Sequence, residues 1–357
     1  MSKIKFAIIG CGRISYKHIE ALVNNYEEAE LVATCDIVEE KAKKSAEEYM
    51  TLINEKIKKT NNQAIVDLGT KICQPSSVNY YTDYKEMLVK EDINVIAIAT
   101  ESGYHAKHTI DGLNAGKHVL VEKPMALSLS DADKMITLAR EKGLKLGICH
   151  QNRFNPPIQK LRRAIEEGRF GKIVNGTARI LWNRNDDYYK QAPWRGTKEL
   201  DGGTLMNQCI HNIDLLQWMM NSEVERVYAE RGTFLRDIEM EDFGAILIRF
   251  KNGSIGIVEG SACVYPKNLE ETLSIFGEKG TVVIGGLAVN DIKTWIFEDE
   301  RDYDREDFYT EIDSVYGKGH TPLYKDFINA IKENREPLIN GEEGKKALEI
   351  ILKAYEF

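Results

Sequence analysis

The stretch Lys5-Phe6-Ala7-Ile8-Ile9 runs straight into Gly10-Cys11-Gly12-Arg13-Ile14-Ser15, and no other feature limits the fold as much. A short β-forming run, a turn with two glycines and a helix-forming segment (Arg13–Asn25) spell one unit. The first glycine permits the sharp turn and the second lets another group approach the backbone. The helix start leaves N–H groups without intrahelical acceptors. Ser15 stands where the pattern's third glycine would, and is still small enough for close helix–strand packing. Asp36 ends the next apolar run, Leu31–Cys35, 24 residues after Gly12. A carboxylate there suits the hydroxyls of an adenosine ribose and repels a 2′-phosphate. The turn therefore predicts an NAD site built from Gly10, Gly12, Arg13, Ile14 and Asp36. The plainer alternatives are a turn that binds nothing and, for Asp36, a helix N-cap.

The same rhythm continues. Further apolar runs lie at Val95–Ala99, His118–Val121 and Lys145–Cys149, with a strand near Asn79. Between the runs lie helical segments at about Val38–Lys58, Tyr84–Val89, His105–Ala115 and Ser128–Glu141. Short runs rich in Val, Ile and Ala between helices read as parallel strands covered on both faces. Residues 1–150 thus form a doubly wound α/β domain of the Rossmann type. Its carboxyl edge is where ligands bind, which adds Thr100, Ser102, His105, Glu122 and Lys123 to the cofactor side. Thr51–Ser77 is longer than an ordinary connection; it extends the helix or adds a surface element.

With 357 residues the chain is too long for one comfortable core, and its second part changes character. A helix at Asn155–Glu167 leads to a long strand, Ile173–Trp182, and a charged, aromatic loop, Asn183–Asp201. A helix follows at about Thr204–Met220. Alternating runs then lie at Val224–Phe234, Asp242–Phe250, Ser254–Ser261, Glu270–Phe276, Thr281–Ile284 and Ile292–Phe297, with a hairpin signal at Asn252-Gly253. Two helices, His320–Glu333 and Glu342–Tyr355, close the chain. Residues 151–357 read as an α+β domain with a large, mostly antiparallel open sheet, used for substrate binding and oligomerisation; its last helix is placed back on the first domain.

A net charge of -8 argues against nucleic acid as a partner. No apolar run approaches the ~18 residues of a membrane span, and MSKIKFAIIG lacks a signal peptide's longer apolar core, so the expected location is the cytoplasm. Six scattered cysteines (Cys11, Cys35, Cys73, Cys149, Cys209, Cys263) without a CxxC pair read as buried free thiols, and no spacing suggests a metal. The uncovered face of the antiparallel sheet predicts a homo-oligomer, a dimer or tetramer.

Three segments carry a resemblance: GCGRIS, GKHVLVEKPMAL (Gly116–Leu127) and GGTLMNQCIHNIDLLQW (Gly202–Trp218). Together they resemble the glucose–fructose oxidoreductase/inositol dehydrogenase (Gfo/Idh/MocA) family across nearly the whole chain. HQNRFNPP, YYKQAPWRG, MNQCIH, YPKNLE and GEKGTVVIGG resemble one branch of it, the UDP-N-acetylglucosaminuronic acid 3-dehydrogenases of bacterial surface-polysaccharide synthesis. The resemblance implies an NAD-dependent dehydrogenase that oxidises a sugar's secondary hydroxyl to a ketone, with a sugar nucleotide as its small-molecule partner. The alternatives are an inositol or free-sugar dehydrogenase of the same family, and a non-catalytic NAD-binding regulator.

Such a reaction needs a held alcohol, a proton acceptor and a hydride acceptor. The resemblance implies Lys123 and His211 as the catalytic pair. An ammonium stabilises developing alkoxide charge and an imidazole suits proton transfer near neutrality. Asp214, three residues after His211, lies on the same helix face. Many family members carry Asp four residues before this His; here that residue is Asn207, an amide, which positions a hydroxyl but takes no proton. Arg153, Arg184 and Arg195 are candidates for a substrate carboxylate or pyrophosphate. Asn155, Tyr188, Tyr189, Trp194, Asn207 and Gln208 are candidates for the sugar or base. For each, an ordinary packing role is the alternative.

Overall fold

The computed structural model describes residues 2–67, 77–306 and 317–357, with the backbone alone for 61–67. Cys73 and the last part of Thr51–Ser77 lie outside the described residues. The chain divides into two compact units. The first comprises Met1–Glu122, Ala132–Cys149 and His320–Gly341; the second comprises Lys123–Asp131, His150–Gly319 and Glu342–Phe357.

In the first unit β1 (Ile4–Ile9), β2 (Ala29–Cys35), β3 (Asn79–Tyr81), β4 (Val95–Ile98), β5 (His118–Val121) and β6 (Leu146–Ile148) form one parallel sheet in the order β3-β2-β1-β4-β5-β6. All four residues of β4 are buried, as expected of a strand with helices on both faces. Alternating with the strands are α1 (Ser15–Asn24), α2 (Glu39–Asp67), α3 (Tyr84–Lys90), α4 (His105–Asn114) and α5 (Leu129–Glu141), although the first residues of α5 count with the second unit. The unusually long connection after β2 is largely helix: α2 runs on to Asp67. The strand order reverses between β1 and β4, where Ile9 lies beside Ile98. Crevices at such reversal points are where open α/β sheets bind ligands.

The second unit begins with α6 (Pro156–Glu166), β7 (Ile173–Leu181) and a short α7 (Asp186–Lys190) inside the segment read as a loop. There follow α8 (Ile210–Met220), β8 (Val224–Gly232), β9 (Phe243–Phe250), β10 (Ile255–Ser261), β11 (Glu270–Gly277), β12 (Gly280–Gly285) and β13 (Asp291–Phe297). The seven strands lie in the order β13-β12-β11-β7-β10-β9-β8. Every pair is antiparallel except β7 with β10. α8 is preceded by one π-helical stretch, Leu205–Cys209. Glycines let this helix sit close to the sheet. A Cβ at Gly244 would meet Leu205 at 2.7 Å, at Gly260 the Cys209 sulfur at 2.5 Å, and at Gly176 Leu216 at 2.8 Å. These three glycines on neighbouring strands fix the depth of the segment carrying Asn207, Gln208 and His211.

α9 (His320–Lys332) belongs to the first unit and packs on α1; α10 (Gly341–Ala354) lies almost wholly in the second. No described helix is long and apolar enough to cross a membrane.

Candidate functional site

The first unit offers a cradle made mostly of backbone. Gly10 has φ +94°, and a Cβ there would meet the Ala99 carbonyl and the Thr100 nitrogen at 2.6 Å, so only glycine lets the β1 turn lie this close to the end of β4. At Gly12 a Cβ would meet nothing within 4 Å: the space beyond it is open. No side chain caps the start of α1, which leaves a helix N-terminus and a glycine facing that space. This is the arrangement a pyrophosphate needs. Arg13 is exposed and Ile14 half-buried beside it.

Asp36 at the end of β2 steadies the turn. Its Oδ2 accepts from the Cys11 N–H and its Oδ1 from the Val38 N–H, both at 2.9 Å. The N-cap-like bond and a ribose contact are compatible, because a carboxylate has further lone pairs. At the end of β4, His105 Nε2 meets the Thr100 carbonyl at 3.0 Å, and the Thr100 hydroxyl lies 3.2 Å from His108 Nδ1. Ser102 and His105 are buried.

Glu122 is turned inward, 6% exposed. Its Oε1 lies 3.2 Å from His18 Nε2 and 3.3 Å from His320 Nε2, and His18 Nδ1 is 2.7 Å from the Tyr324 hydroxyl. Burial alone would raise this carboxyl, yet the two imidazoles hold it well below the usual range. The Cys149 sulfur is close enough that His18, Glu122 and Cys149 place one ligand atom each within 4.8 Å of one another.

The second unit is built from side chains. Lys123 Nζ donates to the Asn207 carbonyl at 2.9 Å, a carbonyl that lies within the π-helical stretch. From Asn207 a polar chain runs outward. Asn207 Nδ2 donates to Asp201 Oδ1, and Gln208 Nε2 donates to Asn207 Oδ1 at 2.8 Å. Arg184 Nε donates to Gln208 Oε1 at 3.0 Å, and Gln208 Nε2 also donates to the Tyr188 hydroxyl at 2.9 Å. Arg195 donates to the same hydroxyl and lies over the Tyr188 and Trp194 rings. Lys123, Tyr189, Arg195, Asn207, Gln208 and His211 are all half-buried, the state of groups that can meet a ligand.

His211 lies in the first turn of α8. Its Nε2 is 3.5 Å from Gln151 Nε2, and its ring stands edge-on to His150 with centroids 5.8 Å apart. Behind them Arg153 forms two bonds to Asp214, at 2.6 and 2.7 Å, and one to Glu343 at 2.9 Å. Arg153 is 0% exposed. Its donors face carboxylates inside the unit, not a surface where a substrate anion would sit. Asp214, for its part, grips Arg153 and lies 4.0 Å from His150 Nδ1. Asn155 is likewise buried, donating to the Ala288 carbonyl at 2.9 Å.

Three groups escaped the sequence reading. Asp201, His150 and Glu271 are each at most 4% exposed. Asp201 directly precedes the Gly202-Gly203 pair, the one local signal that hinted at it. The other two are chemically ordinary in sequence.

Two family models match the chain: the oxidoreductase family with an NAD-binding Rossmann fold over residues 4–150, and the GFO/IDH/MocA C-terminal domain over residues 158–283. Among solved structures, the WlbA dehydrogenase of Bordetella pertussis, in complex with NADH and UDP-GlcNAcA, is similar at TM-score 0.82 and 34% identity, covering 100% of this chain and 95% of that one. Myo-inositol 2-dehydrogenase of Thermotoga maritima is 27% identical over 97% of this chain and 93% of its own length. The NAD-dependent scyllo-inositol 2-dehydrogenase of Bacillus subtilis is 25% identical over 80% of this chain and 75% of its own.

Proposed function

This chain is a member of the Gfo/Idh/MocA oxidoreductase family, NAD-dependent sugar and polyol dehydrogenases, and from that premise we propose that it oxidises the 3-hydroxyl of UDP-N-acetylglucosaminuronic acid to a ketone. The observation that carries this reading is full-length likeness: the WlbA dehydrogenase, crystallised with that sugar nucleotide, matches the whole chain at 34% identity, against 27% for the inositol dehydrogenase. Surface-polysaccharide sugar synthesis is the setting such a product suits.

NAD, when bound, supplies the hydride acceptor. The open space at Gly12 and the uncapped start of α1 fit its pyrophosphate, and Asp36 fits its ribose. The carbinol loses a hydride from carbon and a proton from oxygen, leaving C=O. Lys123 donates a hydrogen bond to that oxygen and stabilises the alkoxide as it forms. His211 takes the proton, and the edge-on His150 ring and Gln151 hold the imidazole in place. Asn207 and Gln208 present amides, and Tyr189 a phenol, to the sugar. Arg195 and Arg184, not Arg153, are the guanidiniums left for the uronate or pyrophosphate.

The test is formation of NADH, followed at the nicotinamide absorbance, with UDP-N-acetylglucosaminuronate, myo-inositol and scyllo-inositol side by side. Faster turnover of either inositol would replace the proposed substrate by the second reading, which the two inositol dehydrogenase relatives support. Absence of turnover with every sugar would favour a binding role.

Self-association is part of the proposal. Tyr228, Leu247 and Ile257 are cross-strand neighbours on β8, β9 and β10, and all three are exposed. An apolar rank on an open sheet face is what a second copy covers. Sedimentation as a monomer would remove this reading.

A further inference from the structure

Resting on the reading of the second unit as the substrate side of a dehydrogenase, we propose that Asp201 is the positioning residue of the Lys123 site. Through Asn207 it brings a negative charge to the segment whose backbone carbonyl holds Lys123. The segment itself offers an amide, and a carboxylate from six residues upstream is bonded to it.

The geometry is directional. Asp201 Oδ2 accepts from the Gly196 N–H at 2.7 Å, which fixes the carboxylate from the loop side. Its Oδ1 accepts from Asn207 Nδ2, and an ionised carboxylate is acceptor only. The Asn207 amide therefore faces one way, with its Oδ1 presented to Gln208 Nε2 at 2.8 Å. Gln208 in turn must point its Oε1 at Arg184, 3.0 Å away. Reversing the Asn207 amide would set two acceptors against each other at Asp201. One buried charge thus orders two amides in a row. The backbone carbonyl of the first is the one that holds Lys123 Nζ, at 2.9 Å.

The charged and titratable groups facing Asp201 come from three directions. Lys123 stands on the segment after β5, Arg195 on the loop that also supplies Gly196, and Tyr189 on α7. Burial pushes the Asp201 carboxyl up to about 6, against the pull of the Gly196 N–H, Arg195, Asn207 and Lys123. The carboxylate is therefore charged at neutral pH and loses its charge below about 6. Glu241, just before β9, accepts from the Leu205 N–H at the start of the π-helical stretch at 2.8 Å, and burial also lifts it to about 6. A pH curve alone does not tell these two apart from each other or from the proton-accepting His211; substitutions do.

Full-length Asp201→Asn and Asp201→Asn/Asn207→Asp are compared with wild type by two readouts. In turnover, Asp201→Asn loses about tenfold or more in kcat with little change in KM for NAD, and the double variant regains it. The second readout needs no substrate. With lysine labelled at the ε carbon, and its Lys123 signal assigned through Lys123→Arg, the titration midpoint of Lys123 falls in Asp201→Asn and returns in the double variant. An unchanged Lys123 midpoint in a folded Asp201→Asn, or a double variant no better than the single, overturns the proposal. If Asp201→Asn does not fold, Asn207→Asp in the wild-type background decides. A second carboxylate beside Asp201 raises the Lys123 titration midpoint, and an unmoved midpoint overturns the proposal. A wild type inactive on every sugar would sink the dehydrogenase reading, while the lysine titration still tests Asp201.

Discussion

The two units solve the problem of holding a polar ligand with different materials. In the first, the groups offered are main-chain N–H donors at a helix start, exposed because Gly12 has no side chain and Gly10 accepts φ +94°. In the second, Lys123, Arg184, Tyr188, Arg195, Asp201, Asn207 and Gln208 come from four separate stretches, and each depends on the next for its orientation. A backbone cradle tolerates change in most side chains around it. A side-chain network does not, because each missing member leaves a partner, buried in the case of Asp201, without its hydrogen bond.

Lys123→Met tests that division most severely. It removes the group proposed to stabilise the alkoxide while keeping an unbranched chain of similar length. We expect kcat to fall by about 10³-fold, and NADH affinity by calorimetry to stay within about threefold. Loss of NADH binding on the same scale would mean that cofactor and substrate functions are not separable in this way.

Arg153→Ala is next in size, and its signature is stability. The substitution leaves Asp214 charged in the core without its bidentate partner. Breaking a buried pair of this kind costs about 3–5 kcal/mol, so thermal and urea unfolding should shift strongly downward. If stability holds and only the KM for a uronate substrate rises, Arg153 reaches the substrate after all and the buried pairing is misread.

The third pair of variants works within the first unit. Gly12→Ala adds a methyl group into space that the protein leaves open, so the fold should be untouched while NAD affinity drops about 10- to 100-fold. Gly10→Ala meets the Ala99 carbonyl and Thr100 backbone at 2.6 Å and should lose stability as well. If Gly12→Ala binds NAD normally, the open space at Gly12 is not where the pyrophosphate lies.

The same difference in material explains what could be read from the sequence. The glycine turn, Asp36 and the alternation of strand and helix are local patterns, and the parallel order with its reversal between β1 and β4 follows from them. The antiparallel strands were legible for the same reason, since the alternation of apolar and polar residues is a property of each strand alone. The proposed roles of Lys123, Asn207 and His211 rest on family resemblance, because no local pattern around them announces one. The buried pairing of Arg153 was not legible, because nothing near it in sequence announces Asp214, 61 residues on, or Glu343, 190 residues on. Asp201 was passed over as the end of a loop. Its partners Gly196 and Asn207 are near in sequence, but burial and side-chain direction are tertiary properties.

Two buried glutamates carry the comparison to its smallest measurable effect. Glu122 in the first unit has two imidazoles on its carboxylate and is held well below the ordinary range. Glu271 on β11, 2% exposed, has amides for neighbours: Asn152 Nδ2 at 3.4 Å, and Asn212. Burial dominates there and pushes Glu271 up to about 8. The signs of the two linkages are opposite. For Glu122, stability is present above the unfolded value of 4.5 and is lost as pH falls through the lower folded value. For Glu271, stability is fully present below 4.5 and is lost as pH rises towards about 8, because the folded state holds a proton that the unfolded state has released. Glu271→Gln removes the second linkage while keeping the shape. Its melting temperature at pH 8 should exceed wild type by roughly 2–4 °C, corresponding to about 1 kcal/mol, with no gain at pH 4.5. An equal gain at both pH values would show that packing, not the buried proton, separates the two side chains.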